Sequence, residues 1–373
     1  MRVLRVLPSV DPHFGGPSES ASRSCIAAQR AGIETSVVVG VDRSSEERSQ
    51  PILAALRSNG VDIHVLRIGL GSFGRRNAIL LGLNRTIRAL RDRFDLIHLH
   101  SPWAASSIMT LAQNKSARFV MTPHEGFTDF DVRQSKLRQI KWLLLHTYSR
   151  SLDAVVYSSL LEATDSVLRG PRTFVVAHPV IDETEARRQG PNAEVLHRTF
   201  GYLGRLHPKK NVEICIRATA RLPNVRLIIA GDGPTEYTAA LKRLAETTGA
   251  DTRVEFVGFI EPHQKSSFFN AIDSLLLVSD FECFGMAAAE ALAMSVPVIV
   301  SETTGVSEIV TKFGCGLITN RDPEALADAM EHVLTSPRKP MMDRAYEAAL
   351  AEYSFASHAK GISAAYLRSA TDH

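Results

Sequence analysis

The chain has 373 residues, too many for one ordinary hydrophobic core, so we expect two domains. Hydrophobic residues make up 45% of it and charged residues 22%, which is typical of a globular protein in water. Because the formal net charge is only +3, the composition argues against a general nucleic-acid-binding protein, and we predict no nucleic-acid partner.

The cysteines and the N-terminus exclude other classes of protein. The cysteines show no close spacing that would indicate a zinc site or a disulfide framework, so a reducing cytosol is the simple interpretation; they are Cys25, Cys215, Cys283 and Cys315. Arg5 interrupts the N-terminal apolar run, which is too short for the apolar core of a signal peptide. No stretch of about 18 charge-free apolar residues predicts a membrane-spanning helix.

Short runs rich in leucine and β-branched residues alternate with amphipathic segments along the chain. In the first half the predicted strands are 2–7, 35–39, 62–66, 95–99, 118–122, 153–157 and 173–177, with helical patterns at 17–31, 77–92 and 133–149. In the second half the predicted strands are 199–203, 225–230, 253–257, 273–278, 296–300 and 316–319, and the predicted helices are 211–222, 235–248, 264–271, 285–294, 305–311 and 323–335. This alternation indicates an α/β fold with two parallel sheets, each covered on both faces.

The domain boundaries follow from the same pattern. We predict an N-terminal domain over 1–180, a polar linker over 181–197 and a C-terminal domain over 198–354. The segment 341–370 has a helical pattern, and we expect a last helix over 355–373 to pack back on the N-terminal domain.

Ligands of open parallel sheets gather at the carboxyl ends of the strands. The first junction of this kind is "SVDPHFGGPSES", where Gly15 and Gly16 stand between a predicted strand and a predicted helix. Two glycines let the backbone approach a ligand closely, and a helix N-terminus favours an anion. A plain tight turn explains the same residues.

The second junction is "YLGRLHPKKN", where Arg205, Lys209 and Lys210 follow a predicted strand. Arginine and lysine at a helix N-terminus can clamp a diphosphate, arginine through its planar fork and lysine as a point charge. The alternative is a solvated basic turn.

The third junction is "SDFECFGMAAAEALA", where Glu282 precedes a predicted helix and Glu290 lies within it. The neighbours of Glu290 at helical spacing are all apolar, and an unpaired carboxylate on an apolar face is costly. It becomes tolerable if it accepts hydrogen bonds from a ligand diol such as a ribose, or binds a cation. The alternative is a glutamate rotated into solvent.

Glu282 and Glu290 form an E-x7-E pattern that resembles the signature of the retaining, family 4 type of glycosyltransferase. Other stretches resemble the landmarks of that family in the expected order: the Gly-rich loop at Gly15 and Gly16, the Arg-x4-Lys clamp in "GRLHPKKN", "IIAGDGP", "FVGFI" and "VIVSETTGVSEIV". The resemblance runs from residue 1 to about 320. It implies the GT-B fold, two Rossmann-like domains that face each other across a cleft.

The resemblance also implies roles for the residues. Glu290 would bind the ribose hydroxyls of a nucleotide-sugar donor, and Glu282 would bind hydroxyls of the transferred sugar. Arg205 and Lys210 would neutralise the leaving diphosphate without a metal or other cofactor. The backbone amides that would assist are those near Phe284, Gly285 and Met286.

In the N-terminal domain, His124 in "VMTPHEGF" ends a predicted strand, and the corresponding loop of the family carries a histidine near the reacting sugar. A structural hydrogen bond is the alternative role. His100, which ends "DLIHLH", is a weaker candidate for the wall of the cleft. Where the family often has Asn-Gly, this chain has His178-Pro179. The resemblance therefore does not predict the details of the interdomain hinge.

Two basic segments, 75–93 and 133–150, combine arginines and lysines with leucine and aromatic residues. Such faces suit the surface of an anionic bilayer, although ordinary helices with solvated outer faces explain them as well. A lipid-linked saccharide acceptor in surface polysaccharide synthesis would account for them. We therefore expect a cytoplasmic enzyme with peripheral contact on the inner face of the cell membrane.

Other interpretations remain open. A nucleotide-sugar epimerase of related architecture is the alternative among enzymes, and a non-catalytic sugar- or nucleotide-binding protein is the alternative outside them. A nicotinamide dehydrogenase would need G-x-G-x-x-G after a strand, which is missing. The "DFD" at 129–131 matches a metal-binding D-x-D of a different glycosyltransferase fold, but it has no supporting context, and we predict no metal site.

Overall fold

The computed structural model describes residues 1–113, 117–185 and 190–370. The chain forms two compact units. The first contains Met1–Pro179 and the C-terminal segment from Phe355 onward, and the second is Val180–Ser354. Of the predicted linker 181–197, the described residues fall in the second unit, and residues 186–189 lie outside the described residues.

The first unit is built on a seven-stranded parallel sheet. Its strands are β1 Arg2–Leu7, β2 Glu34–Val41, β3 Asp62–Arg67, β4 Leu96–His100, β5 Phe119–Thr122, β6 Ala154–Tyr157 and β7 Arg172–Val175. Its helices are α1 Gly16–Arg30, α2 Glu46–Ser58, α3 Gly71–Asn77, α4 Leu83–Leu90, α5 Ala105–Gln113, α6 Asp129–Gln134, α7 Arg138–Ser151, α8 Leu160–Asp165 and, at the end of the chain, α16 Phe355–Ala370.

The second unit is built on a six-stranded parallel sheet. Its strands are β8 Thr199–Leu203, β9 Arg226–Ala230, β10 Val254–Gly258, β11 Ser274–Leu277, β12 Val298–Ser301 and β13 Gly316–Thr319. Its helices are α9 Val212–Arg221, α10 Thr235–Thr247, α11 Lys265–Asn270, α12 Met286–Ala293, α13 Ser307–Phe313, α14 Pro323–Thr335 and α15 Arg338–Tyr353.

All the predicted strands are present, and the predicted α/β fold with two parallel sheets is confirmed. The strand orders are β3-β2-β1-β4-β5-β6-β7 and β10-β9-β8-β11-β12-β13. In each sheet the chain winds outward from a central strand in one direction and then starts again on its other side. The switch points therefore lie between β1 and β4 and between β8 and β11, where open parallel sheets bind their ligands.

Two sets of helices cover the first sheet. Because side chains alternate along a strand, Leu4 and Val6 face one cluster with α4, α5 and α7, whereas Leu7 faces another with α1, α2 and α16. This sorting places α4 and α7 on the same face of the sheet.

Three predicted helices differ from the structure. The helix predicted over 77–92 is wrong in its first part, because Ala78 and Gly82 adopt left-handed conformations and α4 begins only at Leu83. The helix predicted over 133–149 is divided into α6 and α7, since Ser135 is extended. The helical pattern over 341–370 is broken at Ser354, which is also extended.

Candidate active site

The second unit brings together the two predicted junctions that carry opposite charges. The turn after β8 holds Arg205 and Lys210, and the segment after the neighbouring strand β11 holds Glu282 and the start of α12. Because β8 and β11 flank the switch point, both junctions lie at the carboxyl edge of the sheet where a ligand is expected.

Hydrogen bonds fasten these two junctions to each other. The backbone N–H of Asp280 donates to the Lys209 carbonyl at 2.9 Å. The Asn211 side chain donates to the Val278 carbonyl at 3.1 Å and to the Asp280 carboxylate at 2.8 Å. The cationic turn and the acidic segment are therefore one assembled element of structure.

Lys210 forms an ion pair with Glu282. Burial raises the pKa of Glu282, but the charge and hydrogen bond of Lys210 outweigh it and hold that pKa below its ordinary value. The backbone of Glu282 is also fixed, since its N–H donates to the Thr303 carbonyl at 2.9 Å and its C=O accepts from Gly305 at 2.8 Å. Glu282 is a charged, oriented carboxylate.

The turn after β8 concentrates positive charge. The Arg205 side chain is exposed. Burial lowers the pKa of His207, and the charges of Arg205, Lys209 and Lys210 lower it further. Three cations close to one ring make the electrostatic potential at this turn positive. A positive potential favours binding of a diphosphate.

Glu290 is buried, with only 8% of its surface exposed, so its orientation into solvent is excluded. The carboxylate is paired with a residue that the sequence interpretation missed: Lys265 Nζ lies 2.7 Å from Oε1 and 2.9 Å from Oε2. Each carboxylate oxygen still has a lone-pair direction for a further donor, so a ligand diol remains a possible partner.

The start of α12 is shaped by Gly285. This residue has φ +94° and no side-chain cap, and an added Cβ would lie 3.2 Å from Leu277 and Thr304. The Phe284 side chain is buried, and its ring packs against Tyr353 with centroids 5.3 Å apart, so only the backbone of Phe284 is available to a ligand. The first amides of α12, including that of Met286, have no partner within the helix by its geometry.

In the first unit, Gly15 and Gly16 lie where the sequence predicted, at the start of α1. Gly15 has φ +86° and precedes the helix without a side-chain cap. Nothing lies within 4 Å of an added Cβ, so the backbone conformation, and not lack of space, requires glycine there.

His124 and His100 lie at the carboxyl edge of the first sheet. His124 is partly exposed and has φ +48°, and Glu125 after it has φ +78°. The buried Glu162 carboxylate fixes this turn by accepting hydrogen bonds from the Glu125 N–H at 2.6 Å and the Ser158 N–H at 2.7 Å. Two consecutive left-handed residues persist only where the surroundings hold them, which is common at functional sites.

Histidine rings stack along this edge, a feature that the sequence interpretation did not find. The ring centroids of His98 and His100 are 4.5 Å apart, those of His100 and His124 are 5.3 Å apart, and those of His124 and His178 are 5.3 Å apart. Burial lowers the pKa of His124 to about 4 and that of His100 well below its ordinary value. The stack is therefore neutral at pH 7. His178, at the position where the resembling family often has asparagine, belongs to it.

The carboxylates of the "DFD" segment at 129–131 are paired with side chains of the protein. Asp131 accepts hydrogen bonds from Trp103 Nε1 at 2.8 Å and from Lys141 Nζ at 2.5 Å. Asp129 pairs with Arg133 at 2.7 Å. Within the described ranges, no group of three or more His, Cys, Asp or Glu residues is arranged to hold a metal ion.

Comparison with known proteins shows the family. The sequence-family model described as glycosyl transferases group 1 matches residues 183–351. The family model described as glycosyl transferase 4-like domain matches residues 15–181. The chain therefore belongs to the glycosyltransferases of the group 1, family 4 type.

One relative is the D-inositol 3-phosphate glycosyltransferase of Mycobacterium tuberculosis (strain ATCC 25618 / H37Rv), which is 29% identical over 301 residues. The match covers 74% of this chain but only 62% of the length of that relative.

Two solved structures show the same fold over the whole chain. The Anabaena Alr3699/HepE structure in complex with UDP-glucose has a TM-score of 0.75 at 18% identity and covers 99% of this chain and 100% of its own. The lipopolysaccharide outer core galactosyltransferase WaaB has a TM-score of 0.68 at 17% identity and covers 99% of both chains. The GT-B fold predicted from the sequence is confirmed.

Proposed function

We propose that this protein is a retaining, metal-independent glycosyltransferase of the hexosyl type, which uses a nucleotide-diphosphate sugar as donor. The observation that carries the proposal is the joining of the Arg205–Lys210 turn to the Glu282–Glu290 segment at the switch point of the second sheet. The Anabaena protein, which has the same fold, was solved in complex with UDP-glucose, and this supports a nucleotide sugar as the donor class.

The positive charges of Arg205 and Lys210 suit the departure of a diphosphate. As the bond from the sugar to the diphosphate breaks, negative charge grows on the leaving oxygens, and fixed cations lower the energy of that state. In the proposed reaction Arg205 and Lys210 supply this charge in place of a metal ion. The Glu290 carboxylate holds the ribose hydroxyls, and Glu282 orients the sugar after Lys210 turns toward the diphosphate.

We assign a lipid-linked saccharide as acceptor, because the first unit carries an exposed apolar and basic surface. Eight large apolar side chains of the described residues are more than half exposed, and seven of these lie in two short segments. The seven are Leu70, Phe73, Leu81, Leu137, Ile140, Trp142 and Leu143. We call segments 70–81 and 133–143 the basic apolar surface.

Two further features support contact of this surface with an anionic bilayer. Arg76, Lys136 and Arg138 are exposed, and segment 133–143 contains no acidic residue. Both segments are anchored in the same hydrophobic cluster, one through Leu80 within it and the other through Leu145 two residues after it, so they lie on one face of the sheet. Among the helices that the structure describes, none has the length and apolar character to span a bilayer.

The transfer reaction itself is the test. Radiolabelled UDP-, GDP- and ADP-sugars are incubated in EDTA with the protein and either a bacterial polyprenyl-linked lipid extract or D-inositol 3-phosphate as acceptor, and the anomer of the product is determined by NMR. The proposal predicts label in the lipid fraction with the donor's anomeric configuration preserved. An inverted anomer, a strict need for Mg²⁺, or label transferred only to D-inositol 3-phosphate, the acceptor class named for the mycobacterial relative, would overturn the corresponding part.

A further inference from the structure

The bond between two histidines of the first unit determines what His124 offers to a ligand. His100 Nδ1 lies 3.0 Å from His124 Nε2, which is a hydrogen bond between the two rings. Since both rings are neutral at pH 7, each carries one N–H, and only one of them donates in this bond. Two arrangements of the protons are possible, and they leave different atoms for a substrate.

The other nitrogen of His100 distinguishes these arrangements. His100 Nε2 is buried and has no hydrogen-bond partner among the described residues. If His124 were the donor, the proton of His100 would have to lie on Nε2 as a buried N–H without an acceptor. Orphaned buried N–H groups are rarer than buried acceptors with an unused lone pair. The His100 proton therefore belongs on Nδ1.

We propose that His100 is a positioning residue, which donates its Nδ1–H to His124 Nε2 and fixes His124 as the tautomer with its proton on Nδ1. His124 then presents a hydrogen-bond donor to an oxygen of its ligand. If the proposed function holds, that oxygen belongs to a hydroxyl of the sugar; the assignment of the tautomer does not depend on the proposed function. The described residues include no hydrogen-bond partner of His124 Nδ1, since the bond from His100 is made to Nε2.

The surroundings hold His100 in place for this task. Its ring stacks on His98 with the two planes 26° apart. His98 is fixed at both nitrogens, by Thr122 Oγ1 at 2.9 Å and by the Tyr366 hydroxyl of α16 at 2.6 Å. On the far side, His178 stacks on His124 with the planes 27° apart. Rings supported in this way keep one orientation and one tautomer.

The test is NMR of the full-length chain with ¹⁵N-labelled histidine at pH 7.5, where protonated and bare ring nitrogens have well-separated shifts. The His124 signals are identified by their loss in His124→Gln. The wild type should show a protonated Nδ1 and a bare Nε2 on His124. In His100→Leu the Nδ1–H signal should be lost or become a mixture of both tautomers, and His100→Asn, which retains a short N–H donor, should largely restore it. His146→Leu, at an exposed histidine of α7, is the matched control and should leave the His124 signals unchanged.

A wild-type His124 that carries its proton on Nε2 would overturn the proposal, and so would an unchanged Nδ1–H signal in His100→Leu. If that variant does not fold, the wild-type spectrum alone decides the tautomer. Kinetics with an active donor sugar provide a second readout, since His100→Leu should lower kcat while the Kd of the free nucleoside diphosphate stays unchanged. If no donor supports turnover, the proposed function fails, and the tautomer is still decided by the spectrum.

Discussion

Lys265 reaches the buried carboxylate of Glu290 with its ammonium group, 2.7 Å from one oxygen and 2.9 Å from the other. The two residues come from α11 and α12, on either side of β11. The pair explains how an apolar helix tolerates a charge and keeps Glu290 available as a charged acceptor.

Lys265→Met should destabilise the second unit, because it leaves the Glu290 carboxylate buried without its cation. We expect the free energy of unfolding in urea to fall by about 2 kcal/mol, less than for a fully buried pair, since Lys265 is partly exposed. Adding Glu290→Gln should recover much of the loss. Lys339→Met, which breaks an exposed pair with Asp343, is the control and should have little effect. Equal stability of Lys265→Met and the wild type would show that the pair contributes nothing.

The Lys265–Glu290 pair also marks the limit of what the sequence predicts. Strand and helix alternation depends on local periodicity, so every predicted strand is found in the structure. Glu282, Arg205 and Lys210 could be proposed as site residues from the sequence because each stands at a strand-to-helix junction. Lys265 stands 25 residues before Glu290, and only the sheet order brings the two together. No local pattern contains that information.

The histidine stack was missed for the same reason. His98 lies within β4 and His100 ends it, whereas His124 follows β5 and His178 follows β7. Only the pairing of strands in the sheet brings His124 and His178 beside the first two rings. The one signal was "HLH" at the end of β4. The first part of the helix predicted over 77–92 was wrong, because left-handed residues such as Ala78 are set by tertiary contacts and not by propensity.

Glu282→Gln should bind free UDP, or whichever diphosphate the protein prefers, more tightly than the wild type. The wild-type Lys210 is engaged by Glu282, and the change frees this cation and removes a negative charge beside the diphosphate. We expect affinity to rise about fivefold, which is about 1 kcal/mol, while sugar transfer falls. Isothermal titration calorimetry measures the affinity, with Glu290→Gln as the control that should weaken binding. Weaker binding by Glu282→Gln would contradict a diphosphate site at Lys210.

The stability of the first unit should decline as the pH falls below about 6.5. An unfolded histidine takes up a proton near that pH, whereas burial lowers the folded pKa of His124 and His358 to about 4. Between these values the unfolded state binds more protons, so each such histidine costs up to about 1.4 kcal/mol per pH unit. Above pH 6.5 the contribution is constant.

Thermal melts between pH 8 and pH 4.5 check this. The melting temperature should be level at the alkaline end and fall from about pH 6.5 downward, above the range where carboxylates become protonated. His358→Gln should flatten part of the decline. A melting temperature that stays constant to pH 5 would mean that these rings are charged in the folded protein.

The basic apolar surface should bind anionic vesicles. Flotation of the full-length chain with phosphatidylglycerol-containing vesicles should carry it to the top of the gradient, less so with pure phosphatidylcholine and less so at high salt. Replacing Leu137, Ile140 and Leu143 by serine should abolish flotation. Leu367→Ser, at a leucine that is more than half exposed and lies outside the surface, is the control. Flotation that is unaffected by the triple change would place any membrane contact elsewhere.

Calorimetric titration in EDTA decides whether the second unit holds a nucleoside diphosphate through Arg205, Lys210 and Glu290. UDP, GDP, ADP and their sugar conjugates are each titrated into the wild type. The best diphosphate and its analogue lacking both ribose hydroxyls are then titrated into the wild type and into Glu290→Ala. We predict metal-independent binding of one diphosphate series, and a preference for the ribose hydroxyls that disappears in Glu290→Ala. No binding by any diphosphate, or a ribose preference that survives the loss of Glu290, would contradict the account.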